Sequence, residues 1–266
     1  MPELPEVETI KKDLTRRIKN KKVAEVKINK NKVVKEPSGN KFKKELIGKT
    51  VKNIKRKAKV LIIELSGNRF LVIHLRIAGW LLYGEEEKNA RVVVKFSDRT
   101  VLNYMDQRLL GELRLRKDYQ DLDFIKRLGP EPFEIDGSDF AKITKKRNAS
   151  IKSLIMNQNI ISGIGNIYAQ EALFLAKINP KRKSNSLSRR EAMRLHKKLI
   201  EVLKEAIKHK GSSVDLYRVL GGQKGGMEER LRVYGREGKK CFACGEKIKK
   251  ITLSGRGTCF CLRCQK

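Results

Sequence analysis

Cys241-Phe-Ala-Cys244 and Cys261-Leu-Arg-Cys264 place two Cys-x2-Cys pairs in the last 26 residues of a 266-residue chain, with sixteen residues between them. Four thiolates at this spacing suit a tetrahedral metal site, and zinc is the ion that takes four thiolates and closes the site. So short a tail has too little apolar material to fold by itself, so the metal must stand in for a core. With all four positions filled by protein, none is left for a water, and the expected cofactor is one structural zinc ion. The alternative is a reducible thiol cluster. Cys259 lies two residues before Cys261 and breaks the symmetric spacing, so it reads as a non-ligand. Between the pairs, Ile251-Thr-Leu-Ser-Gly-Arg-Gly-Thr258 reads as a hairpin whose tip carries Arg256 between two glycines. Held by the metal, that guanidinium is a rigid, two-pronged phosphate donor.

Lys and Arg number 62 against 30 Asp and Glu, a net charge of +32 spread along the chain. The excess points to a polyanion bound by a folded surface rather than by a disordered basic arm. A Lys-rich and Glu-rich composition also occurs in heat-adapted proteins. No apolar run approaches the roughly 18 residues of a membrane span, and Glu3, Glu6 and Glu8 occupy the place where a signal peptide needs a basic start. A cytoplasmic protein without a membrane partner is expected. The length accommodates two domains and a small appended module.

The chain opens Met1-Pro2-Glu3-Leu4-Pro5-Glu6-Val7-Glu8. Removal of Met1 would make Pro2 a terminal secondary amine, which titrates near a pH of about 8 and is nucleophilic without an elaborate base. A partly buried helix start disfavours the protonated amine further. Glu3 is a carboxylate beside it, suited to moving protons. Val7, Ile10, Leu14 and Ile18 form one apolar stripe of a helix running to about residue 19. Taken alone, the same residues are an ordinary helix start, where prolines and acids belong.

Through about residue 116, Val-rich and Ile-rich runs alternate with turns. Val60–Leu65 and Phe70–Leu75 form one expected hairpin, and Arg91–Phe96 with Thr100–Tyr104 another. The first half is therefore a helix followed by an antiparallel β-sandwich. Lys59 stands where a basic run enters an apolar strand, so its ammonium could be held at a sheet end near a cleft, though as one lysine in a Lys-rich chain it reads by itself as solvated surface. Arg108, with Leu109, Leu110 and Ile77 as apolar neighbours, can form a wedge that enters a base stack, or simply a loop packed by its leucines. Leu128-Gly-Pro-Glu-Pro132 is a strong breaker, and beyond it the pattern is helical over 140–146, 151–157, 167–176 and 189–208. In Gly163-Ile-Gly-Asn166 the glycines permit a close turn, Asn166 can cap the following helix, and Lys152 can join that helix's N–H groups on a phosphate. A plain helix-helix turn is the bland alternative. Residues 211–226 contain five glycines and read as a flexible loop able to close over a ligand.

Pro2-Glu-Leu-Pro-Glu-Val-Glu8, Ala58-Lys59, Ile73-His-Leu75, Leu128-Gly-Pro-Glu-Pro132, Gly163-Ile-Gly-Asn-Ile-Tyr168 and the finger ending Cys261-Leu-Arg-Cys-Gln265 occur in that order over nearly the whole chain. With them the sequence closely resembles the formamidopyrimidine-DNA glycosylase family of bacterial repair enzymes. The resemblance implies an α+β protein with three domains: a catalytic β-sandwich domain over 1–129, a helix-two-turns-helix domain over 130–227 that includes the lesion-closing loop 211–226, and a zinc finger over 228–266. It implies a monomer acting on damaged double-stranded DNA of the nucleoid. Pro2 would attack C1′ of the everted nucleotide and Glu3 would move protons. Lys59 would serve β-elimination, and Arg256 δ-elimination and phosphate grip. His74, Arg108, Arg147, Lys152 and Asn166 would contact DNA, with Ile77 and Leu110 beside Arg108 in the wedge. The wedge departs from the family's usual methionine, arginine and phenylalanine, and Asn89 replaces a frequent histidine. Oxidised purines are the expected substrates; the endonuclease VIII branch, which favours oxidised pyrimidines, and a non-catalytic damaged-DNA binder are the alternatives.

Overall fold

The computed structural model describes residues 2–214 and 217–266. By packing, the chain divides into two compact units: the chain up to Lys126 together with Ile207–Glu228, and Arg127–Ala206 together with Glu229–Lys266.

In the first unit the leading helix α1 (Leu4–Ile18) takes the place its stripe predicts. Val7, Ile10, Leu14 and Ile18 all lie in the main core. After β1 (Val23–Ile28), β2 (Val34–Glu36), α2 (Gly39–Leu46) and β3 (Val51–Lys57) come the two expected hairpins. The first is β4 (Val60–Leu65) with β5 (Arg69–His74). Beyond β6 (Gly79–Gly84), the second is β7 (Val92–Phe96) with β8 (Val101–Asp106). The series ends with β9 (Glu112–Arg116) and the short α3 (Asp123–Lys126). These strands make a four-stranded sheet in the order β1-β7-β8-β6 and a five-stranded sheet in the order β2-β9-β5-β4-β3. Pairing is antiparallel except for β2 with β9.

Alternate residues of both sheets meet in one apolar core, Val92, Val94, Leu102 and Tyr104 from one and Leu61, Ile63, Leu71 and Ile73 from the other, which makes the unit a sandwich. Both outer faces carry apolar clusters as well. Val60, Ile62 and Val72 pack on Leu122 and Ile125 of the α3 region, and Val93, Val101 and Met105 pack with Trp80 and Leu82. That explains why β4 and β8 read as nearly continuous apolar runs.

The 211–226 segment was expected in the middle domain as a flexible loop. Its Tyr217, Val219 and Leu220 are instead buried in the sandwich core, and it groups with the first unit. Leu220 also accepts the N–H of Tyr83 on the edge strand β6 at 2.9 Å. Glycine content signals turns, but the apolar residues between the glycines decide where the segment goes. Asp215 and Leu216 of this stretch lie outside the described residues.

The second unit holds α4 (Gly137–Lys145), α5 (Ile151–Met156), α6 (Asn166–Leu175), α7 (Arg189–Lys208) and the finger hairpin, β10 (Lys249–Leu253) with β11 (Arg256–Phe260). These helices match the four predicted spans to within a few residues. The hairpin packs in this unit, with β11 against α6. Phe174, Val233 and Ile248 form a small core with Cys241, Cys259 and Cys261. No described helix is long and apolar enough to cross a membrane.

Candidate active site and metal centre

Pro2 and Glu3 are both buried at the head of α1. They are held there by Glu6, whose carboxylate is 1% exposed. Its Oε2 accepts the N–H of Glu3 at 2.8 Å and its Oε1 accepts the N–H of Ser212 at 2.8 Å. One side chain thereby ties the N-terminal Pro2-Glu3 dipeptide to the base of the 211–226 segment. Gly211 must be glycine there: its φ is +78°, and a Cβ would fall 2.6 Å from Glu6 Oε1.

A second tie runs from Glu8, two residues further along α1. Arg56 of β3 donates through Nε to Glu8 Oε2 at 2.9 Å and through a terminal nitrogen to the Ala58 carbonyl at 2.9 Å. Burial opposes the charge on Glu8, but hydrogen bonds from Arg56 and Lys11 hold its carboxyl below the usual range. Ala58 has φ +51° in the β3–β4 turn, and the next residue, Lys59, is 6% exposed. Lys59 is therefore buried just before β4 and is not the solvated lysine that composition alone suggests.

His74 closes the same end of the sheet, paired across from Val60. Its Nδ1 accepts the N–H of Arg76 at 3.0 Å, which leaves Nε2 to carry the ring proton. Loss of water, then the charges of Arg76 and Lys59, push the ring's pKa down to about 3. His74 is thus a neutral N–H donor throughout the physiological range. Arg108 and Leu110 are exposed on the β8–β9 loop and Ile77 on the β5–β6 loop, as a wedge requires. Leu109 does the other job the sequence allowed, packing inward against the core with φ +53°. Asn89 is exposed.

In the second unit the candidates gather around the finger. Lys152 is 1% exposed and donates through Nζ to Thr258 Oγ1 of β11 at 2.7 Å. Asn166 is the first residue of α6 and not its cap, a position that Gly165 occupies. Its side chain is diverted: Nδ2 donates to the Gly257 carbonyl at 3.2 Å and Oδ1 accepts from Gln170 Nε2 at 3.0 Å. Lys152 and Asn166 therefore converge on the hairpin beside Arg256, which is exposed after the tight Ser254-Gly255 turn, both residues of which have positive φ. Arg147 folds back on its own helix and donates to the Ile143 carbonyl at 3.1 Å.

Cys241, Cys244, Cys261 and Cys264 bring their four sulfurs within 4.8 Å of one another. The Cys241–Cys264 and Cys244–Cys261 separations are 3.9 and 3.5 Å. A tetrahedron with zinc-sulfur bonds of about 2.3 Å has edges of about 3.8 Å, so the set fits one structural zinc. Cys259 is buried in the same small core but lies outside this group.

Sequence reasoning missed two carboxylates. Glu171 is wholly buried on α6, and its oxygens accept the N–H groups of Arg232, Val233 and Tyr234 at 2.8, 2.9 and 2.9 Å. That clasp fixes the chain on its way into the finger. Asp106, at the end of β8, is the other. The one available signal was, for Glu171, a lone acid in an apolar helix, and for Asp106 an acid at the end of an apolar strand, neither of which sequence alone distinguishes from a surface residue.

The model of the formamidopyrimidine-DNA glycosylase N-terminal domain matches residues 1–113, that of the same family's H2TH domain residues 128–218, and a zinc finger found in FPG and IleRS residues 238–266. The chain belongs to the formamidopyrimidine-DNA glycosylase family. Relatives carrying that name include the proteins of Lactococcus lactis subsp. lactis, 39% identical with all of both chains covered, and Mycoplasma mobile, 36% identical over all of this chain and 99% of that one. Among solved structures, a complex of a Lactococcus lactis FPG mutant with a Fapy-dG containing DNA covers all of both chains at 38% identity and a TM-score of 0.92. A complex of the Lactococcus lactis Fpg with an abasic site containing DNA is equally similar.

Proposed function

We propose that this chain is a base-excision-repair glycosylase that removes oxidised purines from double-stranded DNA and then cuts the strand as an abasic-site lyase. The observation that carries this reading is the buried Pro2-Glu3 dipeptide, clamped by Glu6 at the head of a core-embedded helix. A DNA-binding protein without catalysis has no need of either residue.

With Met1 removed, the Pro2 nitrogen attacks C1′ of the damaged nucleotide, and the glycosidic electron pair leaves with the base. Glu3 supplies and then recovers protons at the sugar or base. Cleavage of the C1′–O4′ bond, with Glu3 supplying the proton that O4′ takes, opens the sugar ring and leaves an iminium, which acidifies C2′. Loss of that proton expels the 3′ phosphate, with Lys59 as proton donor, and a second elimination expels the 5′ phosphate, assisted by Arg256. His74, Arg147, Lys152, Asn166 and Arg256 serve phosphate contact, directly or by holding the hairpin. Ile77, Arg108 and Leu110 fill the gap left by the everted base. The zinc shapes the finger that presents Arg256 and takes no part in bond breaking. The protein works as a monomer in the cytoplasm, on the nucleoid.

A panel of duplexes, each with one lesion and one opposite base, tests the reading. Release of 8-oxoguanine and formamidopyrimidines with strand cleavage is expected. Faster release of oxidised pyrimidines would move the chain to the endonuclease VIII branch. Tight, salt-sensitive binding without any cleavage of an abasic duplex would leave a binding protein.

A further inference from the structure

Asp106 is 1% exposed, yet four donors converge on it. Its Oδ1 accepts the N–H groups of Arg108 and Leu109, each at 3.0 Å. Its Oδ2 accepts the N–H of Gly111 at 2.7 Å and the Tyr104 hydroxyl at 3.2 Å. The whole β8–β9 loop is thus wrapped around one carboxylate. Tyr104 reaches further. A Cβ on Gly111 would lie 1.7 Å from its hydroxyl oxygen, and one on Gly79 would lie 3.0 Å from it and 2.5 Å from the Leu75 carbonyl. Gly79 follows the loop that carries Ile77 and pairs with Asp106 across the sheet. The two loops are joined a second time by Arg76, which donates to Glu112 Oε1 at 3.1 and 2.6 Å. Burial, then the Asp106 charge, raise the pKa of Tyr104, so its hydroxyl stays a donor.

We infer that Tyr104 and Asp106 are positioning residues that lock the Ile77 loop and the Arg108-Leu110 loop into one preformed wedge, and so set how the enzyme reads the base opposite the lesion. This rests on the wedge role proposed above. A loop that met DNA disordered would lose affinity to ordering, whereas one whose backbone donors are already satisfied inserts as a rigid body. Asp106→Asn turns one acceptor into a donor facing the buried Gly111 N–H, and Tyr104→Phe removes only the hydroxyl.

The test compares the full-length wild type, Asp106→Asn and Tyr104→Phe on two substrates: lesion duplexes with each of the four opposite bases, and single-stranded abasic DNA, where there is no opposite base to read. Wild-type activity on both establishes the underlying reading, and its absence from both would sink that reading first. Asp106→Asn is expected to lose at least about tenfold in duplex excision, the scale of one unsatisfied buried donor. Its ratio between opposite bases should shrink, while its single-strand lyase rate stays within about twofold. Tyr104→Phe should move the same ratio in the same direction by less. Equal losses on duplex and single strand, or an unchanged opposite-base ratio in both variants, would overturn the inference.

Discussion

His74 shows how a single environment fixes a residue's chemistry. Because its ring is held near a pKa of about 3, below the ordinary 6.5, the unfolded chain binds a proton that the folded chain does not. Stability from this residue is therefore complete above about pH 6.5 and falls as pH drops through the window toward 3, and His74→Gln should flatten that part of the stability curve. The ring should show no titration between about pH 5.5 and 8 by nitrogen NMR, and DNA affinity should carry no His74 step there. A ring midpoint near 6.5 would contradict the assignment. Lys152 is the opposite case, a cation taken out of water to hold Thr258. Lys152→Ala should cost about 1–3 kcal/mol in denaturant unfolding through lost packing and the lost hydrogen bond to Thr258, besides weakening DNA binding. The sequence could name both residues as candidates, since motif position alone singles them out. It could not say that His74 is neutral or that Lys152 is buried, because the first comes from burial in the fold beside the charges of Arg76 and Lys59, and the second from packing against Thr258, 106 positions away.

At the scale of elements, local signals were legible where one stretch of chain contains its own reason. The stripe of α1, the apolar runs of β4, β5, β7 and β8 between turn signals and the tight turn at Ser254-Gly255 are of this kind. Elements whose conformation depends on distant partners were not. Asn166 was read as a cap, but the hairpin's Gly257 carbonyl competes for its amide and leaves Gly165 at the cap position. The 211–226 segment was read as free, but Tyr217, Val219 and Leu220 gain more from the sandwich core than the glycines lose in chain entropy. Glu171 belongs to the same class, since the three N–H groups it collects lie about sixty residues on. Glu171→Gln keeps the volume but weakens that clasp, and should lower the stability of the helical unit by about 1–3 kcal/mol with DNA affinity falling in step. Unchanged protection of the 232–234 amides in hydrogen exchange would show that the clasp is not what orders them.

The whole molecule is a strongly basic chain whose candidate groups fall into two sets, one in each compact unit. The candidates Pro2, Glu3 and Lys59 lie in the sandwich unit, and Lys152, Asn166 and Arg256 lie in the unit of helices and finger. Chelating the zinc should therefore unfold the hairpin, lower DNA affinity and reduce the salt dependence of binding by about one phosphate contact when compared with Arg256→Ala. It should leave a trace of lyase activity on abasic DNA at high enzyme concentration. The most direct test of the central claim is borohydride trapping on an abasic duplex, followed by mass spectrometry of the adducted peptide. The account predicts a covalent link at Pro2 of a chain lacking Met1, abolished by Pro2→Gly. A full-strength adduct on a lysine, or normal base excision by a chain that retains Met1, would contradict it.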